Sequence, residues 1–364
     1  MKSLLTAILL VFAATAQVRA VEQSSNTSQS ALDCKRFAAV DFGELDAKKV
    51  ISTCQSALRI NPDDYRSRGR LGRGYLKAGQ DELALQHTQR SADKGDLRSM
   101  TLLAYMYKVG RGVSRDDREA VRLYRKAAES GYTSSMEQLG LMYKLGRGVS
   151  QDYHEAVRWF RKAAEKGSLP ATGYLGSMYK DGHGVKQDDR EAVRLYRKAA
   201  DKGSDNAMVF LGNMYLQGRG VQQNNDEAVR WFRKAKGNIG AAAMLGVMYL
   251  EGRGVQQNDR EAVRLFRKTA NQGFPRSMYY LGLMYEAGRG VGQNSKIAAF
   301  HVFRSLKAGD KTVHQKQAAT QGQWRKAFYL ELQRLLQKEG VYSGPLDGQT
   351  GPALLKSIKA LQRK

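Results

Sequence analysis

The sequence predicts an all-α fold, in which an array of paired helices is followed by a small helical domain at the C-terminus. Three observations support this prediction. The 364 residues include 37 glycines but only 5 prolines, which is typical of helices separated by glycine turns. The pattern Leu-Gly-x-Met-Tyr-x-x-Gly-Arg-Gly-Val recurs through the middle of the chain. After each copy of this pattern comes a segment whose apolar residues have helical spacing.

The N-terminus has the pattern of a secretory signal peptide, which we assign to residues 1–20. A basic start precedes the apolar run Leu4–Phe12, which is too short to span a bilayer. Cleavage is predicted after Ala16 or Ala20. The alternative, a buried N-terminal helix, is disfavoured because a polar stretch follows at once. We therefore expect an exported protein, in the periplasm or secreted, with no transmembrane segment after cleavage and a disordered linker over residues 21–32.

Residues 33–96 are expected to form a helical N-terminal region. Within it, residues 54–96 resemble a tetratricopeptide-type unit, with Tyr75 placed like the tyrosines of the later repeats. Cys34 and Cys54 are 20 residues apart. In an exported protein we expect a disulfide between them, worth about 3 kcal/mol in the chain-entropy model, with two buried free thiols as the alternative.

Six repeats follow over residues 97–309. A small residue in the first helix of each repeat recurs at spacings of 36 or 34 residues, and lets neighbouring helices approach closely. These residues are Ala104, Gly140, Gly176, Gly212, Gly246 and Gly282. In the second helix, the apolar stripe of the first copy is Ala120, Leu123, Tyr124, Ala127 and Ala128.

The turns between the paired helices support the same division. Gly110 and its equivalents follow the first helix, where a left-handed residue closes its C-terminus. Asp116, with Glu119 three residues later, predicts a helix cap in which the aspartate binds the backbone and the glutamate reaches back. This pair recurs with Asp or Asn as the capping residue, until Ile297 replaces the glutamate in the last repeat.

These six units resemble the Sel-one-like repeat family, which is related to the tetratricopeptide repeats. The resemblance implies a right-handed α-solenoid that acts as a scaffold for proteins or ligands rather than as a catalyst of a particular reaction. Such a solenoid has an extended surface and no single deep cleft.

The partner surface is predicted on the first helices, whose positions outside the core differ between repeats. Two columns run along the expected concave face, and they change from basic to apolar along the array. We expect a protein or peptide with an acidic end and an apolar end to bind there. The candidate residues are Tyr105, Lys108, Leu141, Lys144, Lys180, Asn213, Leu216 and Leu250.

The formal net charge of +25 first suggests an acidic partner such as nucleic acid. Export argues against nucleic acid. Residues 97–309 hold 36 of the basic and 20 of the acidic residues, and much of the excess recurs on the second helices as the triplet Arg122, Arg125 and Lys126. A solvated face is the simplest explanation of these cations, and contact with an anionic envelope surface is the functional alternative.

Residues 310–364 are predicted to form a connecting helix and a small three-helix domain. The end of this segment resembles the peptidoglycan-binding domain of cell-wall hydrolases and envelope proteins. Thr350 departs from that pattern, which usually has an aromatic residue there, and a terminal cap for the array is the alternative role. The motif residues are Gln333, Tyr342, Gly344, Pro345, Asp347, Gly348, Gly351 and Pro352.

No catalytic pattern is evident, and we expect neither an enzyme nor a cofactor. The five histidines lack the spacing of metal ligands. His183 takes the arginine position of its repeat turn, and His154 was expected to take the position held elsewhere by Asp117 or Asp189.

Together these features predict a non-enzymatic envelope scaffold, which binds a protein through its solenoid and peptidoglycan through its C-terminal domain. The alternative is a periplasmic regulator of a membrane sensor or secretion component, with the C-terminal segment acting only as a cap. A wall-metabolism enzyme is disfavoured because no active-site pattern is present.

Overall fold

The computed structural model describes residues 29–39, 42–309 and 324–362. Its regular elements in these ranges are helices, and consecutive helix pairs pack as in an α-solenoid, which confirms the all-α prediction. The expected signal peptide and the segment 310–323 lie outside the described residues. Residues 29–32, expected to belong to a disordered linker, form the start of the first described helix.

The chain divides into two compact units, residues 1–178 with 182–186, and residues 179–181 with 187–364. The helices of the first unit are α1 (residues 29–38), α2 (Ala47–Ile60), α3 (Tyr65–Lys77), α4 (Asp81–Asp93), α5 (Leu97–Val109), α6 (Asp117–Glu129), α7 (Thr133–Leu145), α8 (Tyr153–Glu165) and α9 (Leu169–Asp181), of which the last three residues belong to the second unit. The helices of the second unit are α10 (Asp189–Asp201), α11 (Asp205–Gln217), α12 (Asn225–Lys234), α13 (Ile239–Glu251), α14 (Asp259–Asn271), α15 (Pro275–Ala287), α16 (Ser295–Lys307), α17 (Lys326–Lys338) and α18 (Pro352–Leu361).

A disulfide between Cys34 and Cys54 joins α1 to α2, as predicted. Both cysteines are fully buried, in a hydrophobic cluster that extends to Leu71 of α3 and Met106 of α5. The disulfide therefore fixes α1 against the first helices of the array.

In several repeats, the small residue of the first helix faces an aromatic ring of the second helix, whereas Gly282 of the last repeat faces Val302. A Cβ atom added at Gly140 would lie 2.6 Å from the ring of Phe160, and Gly212 and Phe232 have the same relation. These glycines are required because the ring occupies the space that a side chain would need.

Both glycines of the Gly-x-Gly turn have a left-handed backbone conformation. Gly146 closes α7 at φ 64°, as predicted for the first glycine. Gly148, at φ 68°, has a second reason to be glycine, because a Cβ atom there would overlap the carbonyl oxygen of Asp117 in the preceding repeat. The second glycine thus allows adjacent repeats to pack closely.

Only one of the two predicted capping contacts forms, namely that of the aspartate with the backbone of its own helix. Asp116 accepts hydrogen bonds from the backbone N–H groups of Arg118 and Glu119, at 2.9 and 3.0 Å. The prediction that Glu119 reaches back to the cap is wrong. The backbone N–H of Asp116 donates to the carbonyl oxygen of Tyr107, and the Glu119 carboxylate binds Arg122 instead.

The arginine of the Gly-Arg-Gly turn binds the preceding repeat, a role that the sequence analysis did not assign. Arg147 lies 2.8 Å from a carboxylate oxygen of Asp117 and also donates to the carbonyl oxygen of Lys108, near the end of α5. We call this arrangement the arginine clasp. Within their own units, Arg111 with Asp81, Arg219 with Asp189 and Arg289 with Asp259 form the same clasp.

Candidate partner-binding surface

The predicted partner residues of the first unit lie at its surface. Tyr105 is 38% exposed. Lys108, Leu141 and Lys144 are half-buried. These side chains stand on α5 and α7, the first helices of their repeats, and contribute to the surface rather than to the buried core.

The predicted partner residues of the second unit are also half-buried, with one exception. Lys180, Asn213 and Leu250 are half-buried, and Lys180 forms an ion pair with Asp181 at 3.2 Å. Leu216 is only 7% exposed and belongs to a hydrophobic cluster, so its side chain packs inside the unit and is not offered to a partner.

Lys108 is held in a partly desolvated position between aromatic rings. Its ammonium group donates to the side-chain oxygen of Gln138 at 2.8 Å and lies 5.4 Å from the ring centre of Tyr105. Burial, followed by the nearby charge of Arg147, lowers the pKa of Lys108. Partial burial of this ammonium group would strengthen its attraction for an anion relative to a fully exposed lysine.

A groove runs along the first helices at the start of the array, in two connected parts of about 500 and 890 Å³. Both parts are lined by Ala39, Gly69, Arg70, Arg98 and Tyr132. We call this recess the N-terminal groove. It is formed by α1, α3, α5 and α7, by residues of the connections between helices, and by Tyr124 of α6.

The charge of the N-terminal groove is positive. Six basic side chains and two carboxylates line it, and both carboxylates cap helices. Asp64 accepts two backbone N–H groups of α3, and Asp96 accepts the N–H and the hydroxyl of Ser99. In the described part of the chain, Arg70 and Arg98 have no carboxylate within ion-pair distance.

A further column on the first helices, not predicted from the sequence, is aromatic or apolar in five of the six repeats. Tyr174 stacks against Phe160 in the first unit, with ring centres 5.1 Å apart. In the second unit Phe210 is 40% exposed and contacts Tyr196. The column consists of Leu102, Gln138, Tyr174, Phe210, Met244 and Tyr280. Its position two residues before the small residue of each repeat was the available sequence signal.

The cations of the second helices are largely engaged within the protein. Arg122 binds Glu119 at 2.6 Å, one helical turn away. Arg125 donates to the hydroxyl of Tyr143 in the next repeat at 2.8 Å. In other repeats Arg158, Arg194, Arg230 and Arg264 repeat the first contact, and Arg197, Arg233 and Arg267 repeat the second. The basic residues of the second helices thus mainly make local and inter-repeat contacts.

One clasp is replaced by a ring stack. The position of Asp117 is held in the next repeat by Tyr153, and not by His154 as the sequence analysis expected. His183 stands at the arginine position and stacks on Tyr153, with ring centres 4.4 Å apart and planes 6° apart. The ring stack thus joins the two positions that the arginine and the aspartate occupy in the clasp.

His301, on α16, is a packing residue. His301 stacks against Tyr285 at 5.9 Å, and burial, followed by Arg304 and Arg267, lowers its pKa to about 4. Among the described residues, no group of three or more His, Cys, Asp or Glu side chains is placed to hold a metal ion.

The motif residues that the sequence predicts for the C-terminal domain hold together the loop that precedes α18. Gln333 is buried, donates to Asp347 at 2.8 Å, and accepts from the backbone N–H of Gly348 at 2.9 Å. The hydroxyl of Tyr342 donates to the carbonyl oxygen of Pro345 at 2.7 Å, and its ring leaves no room for a side chain at Gly344.

Gly351 and Pro352 start the last helix of this region. Gly351 is the N-cap of α18, and Pro352 is its first residue. These motif residues therefore have structural roles, and wall affinity stays a prediction. The exposed side chains of the loop include Leu346 and Thr350.

The C-terminal module, residues 324–362, shares a hydrophobic core with the last repeat. Phe328 and Leu332 of α17 are fully buried together with Val302 and Leu306 of α16. Buried Glu286 of α15 accepts a hydrogen bond from the backbone N–H of Arg325 at 3.0 Å. The C-terminal module therefore packs against the last repeat of the array.

Within the described ranges, no helix combines the length and apolar character needed to cross a membrane. No curated protein matches the sequence significantly.

The solved structures that are similar to this chain include two repeat proteins that match at 30% identity or more. A Sel1 repeat protein from Oxalobacter formigenes is 34% identical with a TM-score of 0.62, and the match covers 65% of this chain and 98% of that one. A protective antigen of uropathogenic Escherichia coli strains, which displays an SLR fold, is 30% identical with a TM-score of 0.58. That match covers 77% of this chain but only 64% of the antigen.

The Sel1 repeat family matches seven segments of the chain. The first, residues 70–96, lies in the region expected to resemble a tetratricopeptide unit, so the family match counts one repeat more than the six signature copies. The matched segments are residues 70–96, 97–132, 133–168, 170–204, 205–236, 239–274 and 275–310. The chain belongs to the Sel1 repeat family.

Proposed function

We propose that this protein is a non-enzymatic envelope scaffold that binds a protein partner through the first helices of its repeats. The supporting observation is that these helices present the N-terminal groove and a varied set of half-buried side chains that the repeat core does not require. Sel1 repeat proteins generally mediate protein–protein interactions, and their scaffold is generally non-catalytic.

The proposal of an envelope location rests on two features of the chain. Residues 1–20 have the pattern of an export signal. The Cys34–Cys54 disulfide is of a kind that persists in oxidising compartments. The predicted location is the periplasm or the exterior of the cell.

Partner binding is tested by affinity capture from solubilised envelope, followed by mass spectrometry. The variant Tyr105→Ala with Leu141→Ala removes side chains from the first-helix surface, and Lys126→Ala with Lys166→Ala removes exposed side chains elsewhere in the first unit. We expect a reproducible partner to be lost with the first pair and retained with the second. Retention by the first pair, or equal loss with both pairs, contradicts the proposal.

For the C-terminal module we propose peptidoglycan binding, which its resemblance to wall-binding domains supports. Although the motif residues hold the loop together, the side chain of Leu346 is 40% exposed at the surface of this loop. In a pelleting assay with purified peptidoglycan, Leu346→Glu is expected to reduce binding several-fold, because it places a charge at the contact loop. Gln337→Glu, at an exposed position of α17, is the matched control. No pelleting by the wild-type protein, or equal effects of the two variants, rejects this role.

The second candidate is a periplasmic regulator in which the C-terminal module only caps the array. The core shared by α16 and α17 specifically favours it, because a terminal repeat needs a cover for its apolar face. Under this alternative the protein partner is still bound by the solenoid, and the pelleting assay gives no binding.

A further inference from the structure

We propose that the N-terminal groove binds an extended acidic peptide segment of the partner, with carboxylates at Arg70 and Arg98 and an apolar side chain near Tyr105. This inference rests on the proposed function and specifies the chemistry of the ligand. In this proposal the acidic end of the ligand contacts α3 and α5, in addition to the predicted lysines Lys108 and Lys144 on the first helices.

The groove has the form of a recess for a peptide rather than of a flat charged surface. Gly69 lies at its floor, where a Cβ atom would overlap the hydroxyl of Ser99, so glycine at this position lets α3 and α5 pack closely beneath the groove. Tyr132 belongs to both parts of the groove and joins them. The two parts, of about 500 and 890 Å³, offer room for several consecutive residues.

Among the described residues, two cations of the groove, Arg70 and Arg98, have no carboxylate within ion-pair distance. Arg70 is half-buried, and burial, in opposition to the charge of Asp64, lowers its pKa; the neighbouring guanidinium of Arg98 acts in the same direction as burial. Asp64 and Asp96, which cap α3 and α5, are two carboxylates against six basic side chains, so they neutralise the cluster only in part. Guanidinium groups bind carboxylates through paired, charge-assisted hydrogen bonds. The basic lining residues are Lys35, Arg66, Arg70, Arg73, Arg98 and Lys108.

Apolar and uncharged polar groups next to these cations favour a polypeptide over another polyanion. Leu102 and Tyr105 provide apolar contact, and Ser134 provides a hydroxyl, in the same part of the groove as Arg70. A nucleic acid or polyphosphate would use the cations but would leave the apolar lining without complementary side chains.

The test measures fluorescence anisotropy with the full chain and a labelled peptide of about ten residues in which Glu alternates with Tyr and Leu. Arg70→Gln with Arg98→Gln is compared with Arg90→Gln with Arg118→Gln, exposed positions of α4 and α6 that give the same change in net charge. We expect the first pair to weaken binding by roughly tenfold or more and the second by less than about twofold.

Two further probes decide between peptide recognition and unspecific charge attraction. The same peptide with Gln in place of Glu, and a labelled oligothymidylate of equal length, are expected to bind much more weakly. Equal binding of either probe, no binding of the Glu peptide, or equal weakening by both variant pairs overturns the inference.

Folding of each variant is checked by circular dichroism. If the double variant of the groove does not fold, Arg98→Gln alone carries the test, because Arg98 is exposed. Absence of acidic-peptide binding together with retained partner capture by the first helices would reject the acidic ligand and leave the proposed scaffold function intact.

Discussion

At the scale of single residues, the second glycine of the turn shows how strongly packing between repeats constrains the sequence. Gly146 is needed for its left-handed conformation, whereas Gly148 combines that conformation with close approach to the backbone of Asp117. Gly167 has the same sign of φ, at 88°, but no atom within 4 Å of an added Cβ. The two kinds of glycine therefore differ in what a side chain would cost.

Gly148→Ala is expected to lower the free energy of unfolding by about 2–4 kcal/mol, because strain and overlap with backbone atoms add. Gly167→Ala, which meets strain alone, is expected to cost about 1 kcal/mol. Urea denaturation of the two variants and the wild-type protein measures the difference. Equal losses would show that close approach at Gly148 is energetically unimportant.

The extent of sequence prediction also differs from residue to residue. The capping role of Asp116 was predictable, because a cap is local and its partners lie two and three residues away. The clasp of Arg147 on Asp117 was not predicted, because its partners are 30 residues apart and meet only when repeats stack. Burial of Leu216 likewise depends on neighbouring helices and cannot be read from its own helix alone.

At the scale of helices, the clasp and the ring stack are alternative ways of joining consecutive repeats. The clasp connects a turn to the N-terminal end of the preceding second helix and to the last carbonyl groups of the preceding first helix. The stack of His183 on Tyr153 connects the corresponding positions without an ion pair.

The double variant Tyr153→Asp with His183→Arg is expected to rebuild the clasp, whereas each single change removes the stack and supplies no partner. A double-mutant cycle measured by urea unfolding should give a coupling energy of about 0.5–1 kcal/mol in favour of the matched pair. Strictly additive effects would mean that the two positions are independent.

The N-terminal groove depends on the assembly of several helices, which explains why sequence analysis found only part of it. Tyr105 and Lys108 were predicted from their column on the first helices. Arg70 and Arg98 were not, because their proximity requires α3 and α5 to pack together and α1 to border the same recess.

At the scale of the whole molecule, the sequence predicted the all-α repeat array but not how its charge is used. The net charge of +25 suggested a basic face on the second helices that is open to solvent. Many of the arginines there instead bind Glu or Tyr side chains. In the first unit, six basic side chains and two carboxylates line the N-terminal groove, which gives this recess a positive charge. The same total charge thus supports a localised binding site.

The C-terminal module adds a second distinction between motif and function. Its Gly-Pro and Asp-Gly positions were recognisable in the sequence, but the structure uses Gln333 and Tyr342 to hold the loop together. A motif of this kind predicts the local fold more directly than it predicts affinity for the wall.

Site-specific photo-cross-linking in cells that naturally carry the protein tests the central claim, that a protein partner binds the first helices. A photoreactive amino acid replaces Tyr105 or Phe210 on first helices, and Lys126 or Lys198 on second helices; all four positions are exposed. Discrete protein adducts are expected from the first two positions and not from the last two. Adducts from the second helices alone, or equally from both sets, would contradict the claim.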